Sequence, residues 1–232
     1  MTTIQNSKFK IGSARAFTLI ELLVVIAIMG VLAGLAIPVL GAAKVSQYKK
    51  VARGELERLG VALDNYKAKY GTYPPGNANN NPLMPQLYYE LSGTTLAKIA
   101  GVDSFVTLDG GSQIPVASVN AAYGVGGFIN CTKGADDEVV KAQNYLSGLK
   151  SNQFFQNVPN NGVPTTVLIT AVGGPDVTYQ PLSASGLNPF RYQYPGVNNP
   201  NSYDLWVKLS IKGKTWLICN WSQQALANSP LP

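Results

Sequence analysis

Residues Phe17 to Leu40 read FTLIELLVVIAIMGVLAGLAIPVL, and this block decides the architecture. It is 24 residues long and carries one charge, Glu21. As a helix rising 1.5 Å per residue it reaches about 36 Å, enough for a hydrocarbon core of about 30 Å. Fifteen of its residues are Phe, Leu, Ile or Val. At roughly −0.3 to −0.6 kcal/mol each they favour insertion by about 5 to 9 kcal/mol, while one acid costs about 3 at the bilayer centre and less near its edge. The block predicts a membrane span. A secretory signal would have a shorter apolar region followed by a small-residue cleavage site. Basic residues flank the block on both sides, Lys8, Lys10 and Arg15 before it and Lys44, Lys49, Lys50 and Arg53 after it. These near-equal flanks do not set the orientation.

Glu21 is the anomaly in this block. A carboxylate in lipid protonates or finds a cation. At the first turn of a helix starting near Phe17, the dipole favours it by about 0.3–1 kcal/mol. A stronger partner would be a free α-amino group at Phe17, which exists only if the chain is cut after Ala16. The other reading is a lone acid solvated by headgroups. Charge logic leaves both open.

Composition narrows the chemistry. The 232-residue chain is 46% hydrophobic and 13% charged, with a formal net charge of +6. It has no histidine, which removes His-based triads and His-bearing zinc sites. Its two cysteines, Cys131 and Cys219, cannot build a four-cysteine metal site. Both basic clusters border the apolar block, so membrane flanking explains them and no nucleic acid is expected. Gly213-Lys214-Thr215 mimics the end of a phosphate loop, but Lys208 stands where the first glycine belongs. Tyr123-Gly124-Val125-Gly126-Gly127 does not lead into a convincing helix. Asp136, Asp137 and Glu138 are adjacent acids of the kind that solvate a helix end, and no metal or other cofactor is expected.

Past the span the pattern continues as Val45, Tyr48, Ala52, Leu56, Leu59, Leu63, Tyr66 and Tyr70, spaced by threes and fours. That is one apolar stripe on a helix. Gly71 and Pro74-Pro75 stop it. One helix is predicted from about Phe17 to Tyr70, with Pro38 kinking or loosening it because proline removes a backbone donor. After a Pro- and Asn-rich loop, short helices are predicted at 86–93 and 95–100, and a surface helix at 135–149. The last seventy residues read as strands: 163–172, 190–194, 203–211 and 215–221. The fold class is α+β, with the long helix covering a C-terminal antiparallel sheet.

The stretch Lys8-Phe9-Lys10…Arg15-Ala16-Phe17-Thr18-Leu19-Ile20-Glu21-Leu22-Leu23-Val24-Val25-Ile26-Ala27-Ile28 resembles the class III signal of type IV pilins and type II secretion pseudopilins. The resemblance implies a cytoplasmic leader, residues 1–16. It implies a prepilin peptidase cut between Ala16 and Phe17, and methylation of the new Phe17 amine. Glu21 becomes the fifth mature residue, pairing in assembly with the Phe17 amine of a neighbouring copy. Ala16 departs from the family's usual glycine before the cut. Tyr66-Lys67…Gly71-Thr72-Tyr73-Pro74 and Asn188-Pro189-Phe190-Arg191-Tyr192-Gln193-Tyr194-Pro195-Gly196…Ser202-Tyr203-Asp204-Leu205 are similar to the major pseudopilin. That subunit holds calcium with acids after this last strand, but Trp206 to Trp221 has none here.

The resemblance implies a pilin-like structural subunit, not an enzyme. Its parts are the leader 1–16, a membrane or filament-core helix 17–43, an amphipathic half 44–71 and an extracytoplasmic body 72–232. Within the body, 76–185 is a variable insertion and 186–222 the sheet. It implies an inner-membrane precursor that polymerises into a helical filament. Implied partners are an assembly ATPase, a membrane platform and minor pseudopilins. The rival readings are a surface type IV pilin and a membrane-anchored binding protein. With Cys131 and Cys219 both exported, a disulfide between them is a candidate.

Overall fold

A computed structural model describes residues 17–133, 140–172, 180–182, 184, 186–211 and 213–229; within its first helix the side chains of residues 35–40 and 42 are not described. The expected leader 1–16, the acids Asp136, Asp137 and Glu138, and the side chain of Pro38 all lie outside that set. The chain divides into two compact units, Met1–Lys44 and Val45–Pro232.

Helix α1 runs from Leu19 to Tyr70. Thr18 caps it: Glu21 N–H donates to Thr18 Oγ1 (3.3 Å), and Thr18 N–H and Oγ1–H donate to Glu21 Oε2 (2.9 and 2.8 Å). This reciprocal box satisfies donors that a helix start leaves orphaned. Gly71 ends the helix at φ +75°, its N–H reaching Lys67 O at 2.8 Å. Only glycine takes that left-handed position without strain.

The apolar stripe is buried as expected. Ala52, Leu56, Leu59, Leu63 and Tyr66 are nearly inaccessible, and Val45, Tyr48 and Tyr70 pack at the margin. They share one cluster with Leu205, Val207, Leu209 and Ile218 of the C-terminal sheet. That sheet consists of β7 (Arg191–Gln193), β8 (Asp204–Ile211), β9 (Lys214–Cys219) and β10 (Ser222–Ala227), in the antiparallel order β10-β9-β8-β7. Its other face carries a small cluster of Trp206, Leu217 and Cys219 with Trp221 and Leu226. The alternation read at 203–211 places Leu205, Val207, Leu209 and Ile211 toward the helix, as period 2 demands.

Residues 76–185 hold structure that the sequence reading missed. Helix α2 (Leu87–Ser92) was expected. The helix expected at 95–100 is instead a strand, β1 (Thr94–Ile99), which pairs antiparallel with β2 (Val102–Thr107). Gly101 at φ +85° turns the chain between them. β2 also pairs with β3 (Gln113–Pro115), and β1 pairs in parallel with β4 (Cys131–Thr132), giving the order β3-β2-β1-β4. Helix α3 (Val116–Tyr123) and the hairpin β5 (Phe154–Asn160) with β6 (Val163–Leu168) complete the region.

The helix expected at 135–149 is not present in the described part, residues 140–149. Side-chain and main-chain partners compete with helical bonds there. Gln143 N–H donates to Asn130 Oδ1 (2.9 Å), Asn130 Nδ2 donates to Gln143 O (2.7 Å), and Tyr145 N–H donates to Leu91 O (2.8 Å). The segment is a strap, pinned by buried Leu146.

Candidate assembly site

The first unit presents a continuous apolar surface. Every described side chain from Phe17 to Gly34 is exposed, with Phe17 at 78% and Leu19 at 82%. An exposed apolar run of this length marks a surface meant for lipid or for a partner. Among the described residues no helix is long and apolar enough to cross a membrane; within the block 17–40 the described side chains are those of 17–34. Phe17, Ile20, Glu21, Val24 and Val25 outline a shallow hollow of about 320 Å³. The Glu21 carboxylate, on one of the lining residues, has Thr18 as its partner inside this chain. A cap bond to a neutral donor is weaker than a pair with a cation, so a closer cation could displace it. Ala16 is outside the described residues, and Phe17 lies next to Glu21 along the chain's start.

Charged groups along the second half of α1 lock the body onto it. Arg53 donates to three main-chain carbonyls at the β9–β10 turn: Cys219 O (2.6 Å), Ser222 O (2.7 Å) and Gln223 O (3.1 Å). Lys49 Nζ lies 4.0 Å above the Trp216 ring, a cation–π contact. Two open clefts flank this turn. One, of about 440 Å³, is lined by Lys49, Lys50, Arg53 and Gln224. The other, of about 520 Å³, is lined by Glu57, Tyr203 and Asn220. Neither brings acids, nucleophiles and donors together as a catalytic site requires.

The two body stretches singled out by resemblance meet in space. Tyr73 packs edge-on against Tyr194 (5.7 Å) and Tyr203 (4.7 Å). Tyr192 OH donates to Pro74 O at 2.6 Å, and Thr72 Oγ1 donates to Tyr194 OH at 3.2 Å. Asp204 is fully buried. Its carboxylate accepts from the backbone N–H of Val197, Asn198 and Asn199 and from both asparagine amides, at 2.7 to 3.0 Å. A Cβ on Gly196 would fall 2.7 Å from Asp204 Oδ1, so this loop closes only with glycine there. With five N–H donors on it, Asp204 is a loop anchor and not a cation ligand. Among the described residues no group of three metal-ligating side chains assembles.

The candidate disulfide is corrected by the structure. Cys131 and Cys219 are free and buried. Cys131 lies in β4 of one sheet and Cys219 at the end of β9 in the other, in separate apolar clusters. Burial pushes both thiols up, away from reactive thiolate.

Sequence reading gave no role to Glu90, a lone acid among aromatic residues. It is fully buried, accepts from Tyr66 OH, Ile129 N–H and Asn130 N–H, each at 3.0 Å, and thereby ties α1, α2 and the approach to β4. Burial raises its pKa, with the two backbone donors and Tyr66 opposing.

Residues 12–37 match the prokaryotic N-terminal methylation motif. The chain is 40% identical over 58 residues to type II secretion system core protein G of Pseudomonas aeruginosa (strain PAO1). The match covers 25% of this chain and 41% of that relative. The chain thus spans about two fifths of the relative's length. No solved structure matches.

Proposed function

We propose that this type IV pilin-like chain is a structural subunit of a type II secretion pseudopilus. The observation that carries the reading is the methylation motif at 12–37 laid over an exposed apolar helix with one acid in its first turn. In this reading the leader 1–16 is removed at Ala16–Phe17 and the Phe17 amine is methylated. The apolar part, 17–43, holds the precursor in the inner membrane and later lies in the filament core. The half 44–71 carries the body, 72–232, outside the cytoplasm.

Glu21 is the assembly residue. In a single chain it caps Thr18. In the filament it exchanges that neutral donor for the cationic Phe17 amine of the next copy. Far from water this pair is favourable only because both charges would otherwise be stranded. Prepilin peptidase, an assembly ATPase, a membrane platform and minor pseudopilins are the partners, and the role is structural rather than enzymatic. The local identity to a secretion core protein favours this over a surface pilin for adhesion, motility or DNA uptake.

Intact-mass measurement on membrane-extracted protein tests the processing. Loss of residues 1–16 and gain of one methyl are expected; an unshortened chain refutes the proposal. Secretion lost on deletion, with no long surface filaments in the wild type, separates pseudopilus from surface pilus.

A further inference from the structure

Glu55, on the second half of α1, receives two side chains distant in sequence. Thr170 Oγ1–H donates to Glu55 Oε2 at 2.6 Å, and Gln153 Nε2 donates to Glu55 Oε1 at 2.9 Å. Ala171 N–H reaches both carboxylate oxygens, at 3.1 and 3.2 Å, and fixes the group's plane. The Gln153 amide oxygen is held from its other side by Lys150 N–H (3.0 Å) and by Arg58 Nη1 (3.5 Å). The main chain brings the pair together, because Ile169 N–H donates to Gln153 O at 2.9 Å. Thr170 is 1% exposed.

These are the parts of an acyl transfer: a hydroxyl on a base, an amide whose oxygen is polarised by two donors, and a leaving nitrogen on the same base. We propose that Thr170 and Gln153 become joined by an ester that the chain makes itself. Glu55 takes the Thr170 Oγ proton while Oγ attacks Gln153 Cδ. The C–O bond forms, and Lys150 N–H and Arg58 hold the oxyanion. The C–N bond then breaks, and the proton passes from Glu55 to Nε2, which leaves as ammonia. Glu55 is regenerated, and nothing is oxidised or reduced.

A cavity of about 20 Å³ adjoins Glu55, Arg58 and Gln153, room for one molecule the size of water or ammonia. Leu146, Leu149, Leu168 and Phe190 form its apolar wall and limit the water that would hydrolyse the ester. The bond would close the loop from 153 to 170 covalently, in a body whose described cysteines stay free.

The test is a peptide map of the full chain extracted from membranes. Trypsin leaves residues 151–191 as one fragment, since no Lys or Arg lies between Lys150 and Arg191. The fragment is expected about 17 Da light, the mass of ammonia lost in the acyl transfer. Chymotrypsin, cutting after Phe154 and Phe155, is expected to leave two pieces still joined, and hydroxylamine to release them. Thr170→Ser should keep the bond; Thr170→Val and Glu55→Gln should restore full mass. A wild-type fragment of full mass, separable by chymotrypsin, overturns the proposal. So does a mass loss that survives Thr170→Val, which would place the lost ammonia at Asn161-Gly162 instead.

Discussion

Glu90 is a carboxylate for which no Lys or Arg serves as partner among the described residues. Its contacts are Tyr66, Ile129 N–H and Asn130 N–H, and Tyr70, Cys131 and Tyr192 lie near enough to feel its charge. Burial disfavours its ionised form. Its folded pKa therefore lies above the ordinary glutamate value, so the folded state binds the proton more tightly than the unfolded one. Stability from this group is full below the unfolded pKa and is lost as pH rises through the folded one. Glu90→Gln removes that titration. The stability of the wild type relative to Glu90→Gln should fall as pH rises from about 4.5, read as melting temperature across pH 4 to 8; a difference independent of pH would contradict it. Glu90→Ala strands three donors and should cost about 3 kcal/mol in denaturant unfolding.

The same economy of partners governs α1 as an element. Its body half holds the sheet by an apolar stripe and by Arg53, and holds the 147–171 region by two further charged clamps, Glu55 and Arg58. Leu63 is fully buried in the stripe, whereas Val61, two positions away, is 61% exposed. Leu63→Ala should lower stability by about 2–5 kcal/mol through lost transfer energy and a cavity. Val61→Ala should stay within about 0.5 kcal/mol. Equal effects at the two positions would show that the stripe is not what holds the helix. The stripe was legible because helical periodicity survives any body that covers it. The clamps were not, because their partners are main-chain carbonyls and side chains 89 to 170 residues away.

At the scale of the whole molecule, the exposed apolar surface from Phe17 to Gly34 needs an environment that one chain does not supply. Membrane and filament core are the two that the proposed function offers in succession. Glu21→Ala should leave membrane insertion intact, since removing an acid only lowers its cost. It should abolish self-assembly, scored by chemical cross-linking between copies in the membrane. Cross-linked oligomers in wild-type amount from that variant would end the ion-pair account of assembly.

The amino-acid sequence by itself determined the greasy start with its lone acid, the helical stripe behind it and the alternating strands at the end. Each is a local pattern whose period or composition speaks without neighbours. The tertiary structure alone decided the rest. Thr94–Ile99 became a strand because β2 and β4 offered hydrogen bonds that its composition did not announce. Residues 140–149 became a strap because Asn130 and Leu91 outbid the helix. The two cysteines were sent to separate sheets. The meeting of Glu55, Gln153 and Thr170 likewise belongs to the fold, because contacts across a hundred residues follow from how elements pack and leave no trace in spacing.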